Sequence, residues 1–190
     1  LVRSPEAARA CLDPQATLIT GRLGSQRALQ QLLLGAGHVV HCAGRVRGSR
    51  PSDFDEVNVE GTGNLLEALT TCPAPGPVLI HLSSLAAREP ELSFYAASKH
   101  QAEQLLVNQR PALHAVSLRP PAVYGPGDTE MLPVFRLMAR GIAPVPGPIN
   151  ARLSLIHVDD LVAAIIACIE AAQTPTGILE VDDGRAGGYD

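Results

Sequence analysis

Short β-type runs alternate with helical patterns along the 190 residues, and that rhythm leaves few folds open. Ala16 to Thr20 reads as a strand, Ser25 to Leu34 as a helix, His38 to Ala43 as a strand and Asp53 to Thr70 as a long helix. Val78 to Leu82 reads as a strand, Tyr95 to Gln109 as a helix and His114 to Leu118 as a strand. The assignments rest on apolar periodicity. Ala28, Leu29, Leu32 and Leu33 share one helical face, and Gly35 stops that helix. Pro73 to Pro77 is a breaker cluster. Strands that alternate with helices point to βαβ units, with a parallel sheet covered on both faces. After Asp128 the rhythm loosens. Met131 to Arg140 reads as a helix, Pro144 to Pro148 as a loop and Leu153 to Val158 as a short extended piece. Asp159 or Asp160 is the expected cap of a helix over Leu161 to Ala172. Gly177 to Val181 is the last expected strand.

Composition narrows the function classes. Hydrophobic residues make up 46% and charged residues 18%, enough for one packed domain. The formal net charge of −4 gives no basic footprint for nucleic acid. Cys11, Cys42, Cys72 and Cys168 form no CxxC pair and match no zinc spacing, so no metal site is expected. The reading is a reduced, cytoplasmic-type chain. No apolar run reaches the roughly 18–20 residues of a membrane-spanning helix, and no membrane partner is expected. The chain opens on Leu1 rather than Met and closes on Gly187, Gly188, Tyr189 and Asp190, which reads as a segment of a longer protein.

The chemistry-bearing constellation is Ser84, Tyr95 and Lys99. Tyr95 and Lys99 stand four apart at the start of a helix and share a face. Ser84 follows a strand end, where ligands sit in open α/β sheets. A phenol ionises near pH 10, too high for a good base at neutral pH. A neighbouring ammonium favours the phenolate. Tyr95 then exchanges a proton with an alcohol or carbonyl oxygen that Ser84 holds. This arrangement suits reversible hydride transfer with a nicotinamide cofactor. A Tyr–Lys pair at this spacing is also common on plain helix surfaces. Three things set this one apart. It follows a strand ending in Ser83-Ser84 by 11 residues, it lies in a βαβ chain, and Lys99 is the one lysine beside 14 arginines. Arginine cannot supply a compact ammonium.

The ordered motifs carry a resemblance. Val39 to Gly44 reads VVHCAG, Asn58 to Thr62 reads NVEGT, and Leu82-Ser83-Ser84 precedes Tyr95-Ala96-Ala97-Ser98-Lys99. Leu118-Arg119-Pro120 leads into Val123 to Asp128, VYGPGD, and Ile156 to Val162 reads IHVDDLV. Over nearly its whole length the chain resembles the extended short-chain dehydrogenases/reductases, the NAD-dependent epimerase/dehydratase family. The resemblance implies a Rossmann-type, doubly wound parallel sheet, N-terminally truncated, with a small C-terminal substrate-binding lobe. Residues 1–128 would be a partial NAD(P)-binding domain. Residues 129–190 would mix substrate-lobe and final Rossmann elements in a single integrated domain. Tyr95 would be the acid/base. Lys99 would lower its pKa and bind the nicotinamide ribose, and Ser84 would orient the substrate oxygen. Asn58 would support the ribose end. Cys42, Ala43 and Gly44 would line the cofactor, and Pro120, Pro121, Ala122 and Val123 would approach the nicotinamide. His41 and His81 read as satisfied core histidines, and His157 and Asp160 as a strand-end residue and a helix cap. A homodimer through the helices carrying Asn58 and Tyr95 is also implied.

The departures from the pattern carry information. The family opens with a strand, a GxxGxxG turn and a helix whose N-terminus binds pyrophosphate. None of these stands here, and Leu1 to Ser4 looks like the end of the family's second strand. With strand order 3-2-1-4-5-6, strand three would lie roughly 14 Å from strand four, leaving exposed edges. The 190 residues alone are therefore expected to be inactive, poorly stable or dependent on a preceding segment. No acid stands at Arg3, and an arginine there suits a 2′-phosphate, so NADP is preferred over NAD. Arg22, with Leu23 beside it, takes the place where many relatives carry Asp near the adenine. Nucleotide-sugar epimerases often carry Asn where Ala122 stands and Arg where Leu153 stands, with Arg152 one residue off. Those changes favour a small-molecule substrate that is rather apolar. Met131, Leu132, Phe135, Leu137 and Met138 suit such a substrate, and suit core packing equally. The leading expectation is an NAD(P)-dependent oxidoreductase. A nucleotide-sugar epimerase or dehydratase, and a non-catalytic cofactor-fold binder or inactive fragment, stand beside it.

Overall fold

Leu79 and Ile80 are neighbours in sequence, and both are wholly buried. Strand side chains alternate faces, so this requires cover on both sides of the sheet. The computed structural model describes residues 1–109, 113–142 and 153–184. Its central sheet is parallel, in the order β1 (His38–His41), β2 (Val78–Leu82), β3 (Ala115–Arg119) and β6 (Gly177–Glu180). Leu79 faces a core with Val39, Ala115, Leu29 and Leu33 of α2 (Gln26–Leu33), Leu65, Leu66 and Leu69 of α4 (Gly61–Thr70), and Leu106 of α5 (Phe94–Asn108). Ile80 faces the other core, with Val116, Leu118, Ile156 of β5 (Leu155–His157), and Leu161 and Cys168 of α7 (Val158–Glu170). Burying each such side chain stabilises the fold by about 1.5–3 kcal/mol. The remaining helices are α1 (Pro5–Arg9), α3 (Pro51–Asp55) and α6 (Leu132–Met138). A short strand β4 (Ala122–Tyr124) pairs in parallel with β5, apart from the main sheet.

The parallel α/β architecture is as the alternation predicts, and several local readings are corrected. Ala16 to Thr20 is not a strand. Only Thr20 pairs, in one parallel bridge to Val2, with the Val2 amide donating to Ile19 at 2.8 Å and the Gly21 amide donating to Val2 at 2.9 Å. A strand needs a continuous partner, and the described chain offers Val2 alone. β1 is an edge strand, and Val40 is 39% exposed on its uncovered face. The long helix expected over Asp53 to Thr70 is interrupted by a wide π turn at Glu56–Glu60 between α3 and α4. β4 follows Pro120-Pro121 and, at three residues, is shorter than the apolar runs that signal a strand. The cap of α7 is His157, whose ring accepts from the Asp159 amide at 3.3 Å, rather than Asp159 or Asp160. Those two carboxylates occupy the first turn, where they complement the helix dipole. α6 buries none of its side chains, so its Met and Leu cluster is not core. The Pro144 to Pro148 loop and Arg152 lie outside the described residues. The four cysteines are free thiols, and no helix of the described residues is long and apolar enough to cross a membrane.

Towards the C-terminal ends of the strands the face beneath α4 and α5 turns polar. Register sets His41, His81 and Ser117 side by side across three strands. Both rings are buried, 5.6 Å apart. The Thr62 hydroxyl donates to the Asn58 carbonyl at 2.7 Å, so at 3.0 Å it accepts from His41 Nε2–H. His81 Nδ1 and Ser117 Oγ are 2.9 Å apart. These are core histidines with partners, as the apolar strands around them imply. Burial, and then the Lys99 charge, lower the His41 pKa to about 4 and hold His81 well below its ordinary value.

Both rings are therefore neutral in the folded chain and take up protons more readily once unfolded. Stability is full above about pH 6.5 and is lost as pH falls towards 4. The expected slope is about 1.4 kcal/mol per pH unit for each ring. Urea unfolding at half-unit steps from pH 7 to 4 checks this, and a flat midpoint would contradict the neutral pair.

Candidate active site

Ser84 leaves β2 with an extended backbone, and its hydroxyl accepts from the Ala86 amide at 3.2 Å. That hydroxyl caps the short 3-10 turn Leu85–Arg88 and keeps its proton available for another partner. Ser93 caps α5 in the same way, accepting from the Ala96 amide at 3.0 Å. The cap fixes the first turn of α5, which carries Tyr95. The Tyr95 ring packs against Phe54 of α3 at 6.3 Å. Burial pushes its phenol above the ordinary value, and a hydrogen bond with Ser84 pulls it back. Ser84 and Tyr95 are thus brought together, whereas the Lys99 ammonium, expected to lower the phenol, is not among the influences on it.

Lys99 lies one turn further along α5 and is 5% exposed. Its Nζ donates to the Leu82 carbonyl at 2.8 Å. Burial lowers its pKa to about 8, while the Cys42 thiol and the Glu103 carboxylate nearby work in the opposite direction. A Cβ on Gly44 would stand 3.2 Å from Nζ and 3.5 Å from Asn58 Oδ1. Glycine at 44 therefore keeps the backbone close to the ammonium without crowding it. Asn58 sits in the wide π turn, with its carboxamide fully used. Its Oδ1 accepts from the Arg45 amide at 2.7 Å, and its Nδ2 donates to the Arg45 carbonyl at 3.0 Å and to Ser98 Oγ at 2.9 Å. This side chain pins the loop after β1 to α5. π turns of this kind recur at functional sites.

Beside this group runs an open trough of about 1350 Å³. Arg3, Arg22, Leu23, Cys42, Ala43 and Gly44 line it, as do Gly21, Gly24 and Arg45. Asn58, Ser84, Tyr95, Lys99 and the 120–123 stretch do not. Gly44 joins the two regions, because it borders the trough and abuts both Lys99 and Asn58. Pro120 is tied to the Ser84 side through its carbonyl, which accepts from the Leu85 amide at 2.8 Å. Ala122 and Val123 continue from there into β4.

Two residues escape the motif reading. Arg45 borders the trough with its backbone held by Asn58, and nothing in its neighbourhood marks it as special. Glu103 stands four residues beyond Lys99, so the four-residue repeat Tyr95, Lys99, Glu103 was the available signal. It is wholly buried and takes a two-pronged ion pair from Arg119, Nε at 2.8 Å and Nη2 at 2.7 Å. The Arg119 guanidinium is held above its ordinary value by that hydrogen-bonded carboxylate.

Known proteins resemble this chain in sequence and in fold. The ceramide reductase of Caulobacter vibrioides (strain NA1000 / CB15N) is 41% identical over 93% of this chain and 54% of its own length. The UDP-glucose 4-epimerase of Vibrio cholerae is 31% identical over 77% of this chain and 52% of its own length. The chain thus spans about half the length of the curated relatives it matches. Among solved structures, UDP-glucuronic acid 4-epimerase from Bacillus cereus, in complex with UDP-glucuronic acid and NAD, superposes with a TM-score of 0.72. It is 21% identical, with 92% of this chain and 62% of that one covered, and that likeness shows the Rossmann-like fold. The model of the NAD dependent epimerase/dehydratase family matches residues 1–181. The motifs, the sheet and these matches agree: the chain belongs to the NAD dependent epimerase/dehydratase family.

Proposed function

We propose that this chain is the greater part of the catalytic unit of an NAD(P)-dependent oxidoreductase. It would act on a hydroxyl or carbonyl of a rather apolar small molecule. The carrying observation is Tyr95 within reach of Ser84, with Lys99 one helical turn away on α5, at the strand ends beside the arginine-lined trough. The trough runs along the open edge strand β1, from Arg3 and Arg22 to Gly44. Its two kinds of lining suit the two ends of a dinucleotide. Arg3 and Arg22 offer cations to a 2′-phosphate, the basis for preferring NADP over NAD. Gly44 permits close approach at the other end, next to Lys99 and Asn58. The bound cofactor would supply or accept the hydride.

The chain's own residues handle the proton. Tyr95 donates it to the oxygen of a carbonyl being reduced, or takes it from an alcohol being oxidised. Ser84 holds that oxygen, since its hydroxyl already lies against the phenol. The Lys99 ammonium, on the same face of α5, stabilises the phenolate as it forms. Burial raises the phenol, so the charge has work to do. Residues 1–128 serve the cofactor, and residues 129–190 supply the substrate side together with β6. α6 fits an apolar substrate, because its Leu132 and Met138 are exposed rather than buried in a core. The ceramide reductase relative supports the same class. The Vibrio cholerae relative favours a second reading, epimerisation of a nucleotide sugar, against which stand Ala122 and Leu153.

Tyr95→Phe is expected to lower turnover about 10²–10⁴-fold, the usual worth of a positioned acid/base. Steady-state assay of the protein carrying its preceding coding sequence, with NADPH and 3-oxo or 3-hydroxy lipids, measures it. Unchanged turnover would sink the catalytic role. In a thermal-shift titration of the same protein, NADPH is expected to stabilise more than NADH, and Arg3→Glu/Arg22→Glu is expected to erase the difference. Stabilisation by UDP-sugars instead would move the reading to epimerisation.

A further inference from the structure

A wholly buried carboxylate in a site meant to hold an ammonium calls for a reason. Glu103 lies on α5 four residues beyond Lys99, on the same face. Both of its oxygens are taken by Arg119, at 2.8 Å and 2.7 Å. Arg119 ends β3 and reaches on to Glu180 of β6, at 3.5 Å. The chain of charges thus crosses from α5 to two strands. The Arg119 side chain is 14% exposed and that of Glu103 is fully buried. Burying such a pair is costly, and packed apolar side chains would often serve stability as well.

The groups around Lys99 suggest what this pair does. The Leu82 carbonyl of β2 accepts from Nζ. His41 of β1 and His81 of β2 face it as neutral rings and offer no counter-charge. Cys42, after β1, is a thiol that burial pushes up, away from thiolate. Tyr95, on its own helix, is a phenol that burial likewise keeps protonated. Two groups oppose the effect of burial on Lys99, Cys42 first, once it ionises, and then Glu103; with the thiol kept protonated, the Glu103 carboxylate is the standing charge. Arg119 reaches Glu103 from β3 and takes both of its oxygens.

We propose that Glu103 is a positioning residue that holds Lys99 as an ammonium beneath Tyr95, and that Arg119 fixes the Glu103 carboxylate in place for this task. The role of that ammonium in proton transfer rests on the oxidoreductase reading; its charge does not. Glu103 supplies the negative potential, and Leu82 supplies the acceptor. Arg119 and Glu180 supply the rigidity, tying the helix that carries Tyr95 and Lys99 to the strand that leads into Pro120 to Val123.

Lys99 is the only lysine among the 190 residues, and in protein labelled with 13C at lysine Cε its signal is the one that disappears in Lys99→Arg. Its chemical shift against pH gives the Lys99 pKa directly, with or without turnover. Glu103→Gln is expected to lower that pKa by about one unit, because an opposing charge is lost while Arg119 remains. Arg119→Gln is expected to raise it. A clip that merely holds the helix in place predicts otherwise: either change would loosen α5, hydrate Lys99 and drive both values up. A rise, or no movement, in Glu103→Gln therefore overturns the proposal. Should that variant not fold, Glu103→Leu/Arg119→Met leaves no unpaired buried charge, and its Lys99 pKa is read against that of Arg119→Gln, which keeps the Glu103 charge. A lower value in the double variant supports the proposal, and an equal or higher value overturns it. If Tyr95→Phe leaves turnover intact while Glu103→Gln lowers the Lys99 pKa, the catalytic reading fails and the placement of the charge stands.

Discussion

One ammonium buried against the end of a parallel sheet sets the terms for everything around it. Lys99 is 5% exposed, and its Nζ reaches the Leu82 carbonyl at 2.8 Å. Leaving water is costly for a charge, and the cost appears as a pKa lowered to about 8. The neighbourhood answers that cost. The strand face beneath it is polar where the rest is aliphatic, carrying His41, His81 and Ser117 in one row and Arg119 in the next. The helix face above is polar at the matching level, with Thr62, Lys99 and Glu103. The aliphatic rows Val39, Leu79 and Ala115 lie at the other end of the same face. A single sheet face is thus divided along its strands into a packing half and a working half.

The division explains why the site stands where it does. Strands in a parallel sheet all point the same way, so their C-terminal ends gather in one place. Loops leaving those ends must diverge, and here they carry Cys42 to Gly44, Ser84, and Pro120 to Val123. The Asn58 side chain ties the first of these loops to α5 through Arg45 and Ser98. The Leu85 amide ties the second to the third through Pro120. Rigid attachment of this kind keeps Ser84, Tyr95 and Lys99 in register with the trough. Loops without such ties would have to be ordered at every binding event.

What was legible in the sequence follows the range of the interaction. Val78 to Leu82 reads as a strand because its apolar run is local, and the structure has the same limits. The Tyr95–Lys99 pair is legible because i and i+4 always share a helical face. The same rule reaches Glu103, but its partner Arg119 lies on another strand and only the fold unites them. Ala16 to Thr20 fails as a strand for the complementary reason: the local pattern is right, and one Val2 bridge is all the pairing available. The π turn at Asn58 leaves no mark in the apolar spacing, because helix on both sides continues the same core face. His157 displaces the aspartates as the α7 cap because a ring nitrogen accepts as a carboxylate does, which composition-based capping rules do not weigh.

The charge balance of the site also bears on which chemistry it suits. A purely structural ammonium would be best paired directly with a carboxylate, closing the electrostatic account locally. Here the nearest direct acceptor is a neutral carbonyl, and the carboxylate is kept at one remove by Arg119. The positive charge is therefore only partly compensated. Two neutral imidazoles on the far side add no competing anion. A site arranged to stabilise a transient negative charge needs this incomplete neutralisation, since a fully paired cation has little left to offer a phenolate. The imbalance is built from the same interactions that anchor α5 to the sheet, so the helix position and the site's electrostatics are set together.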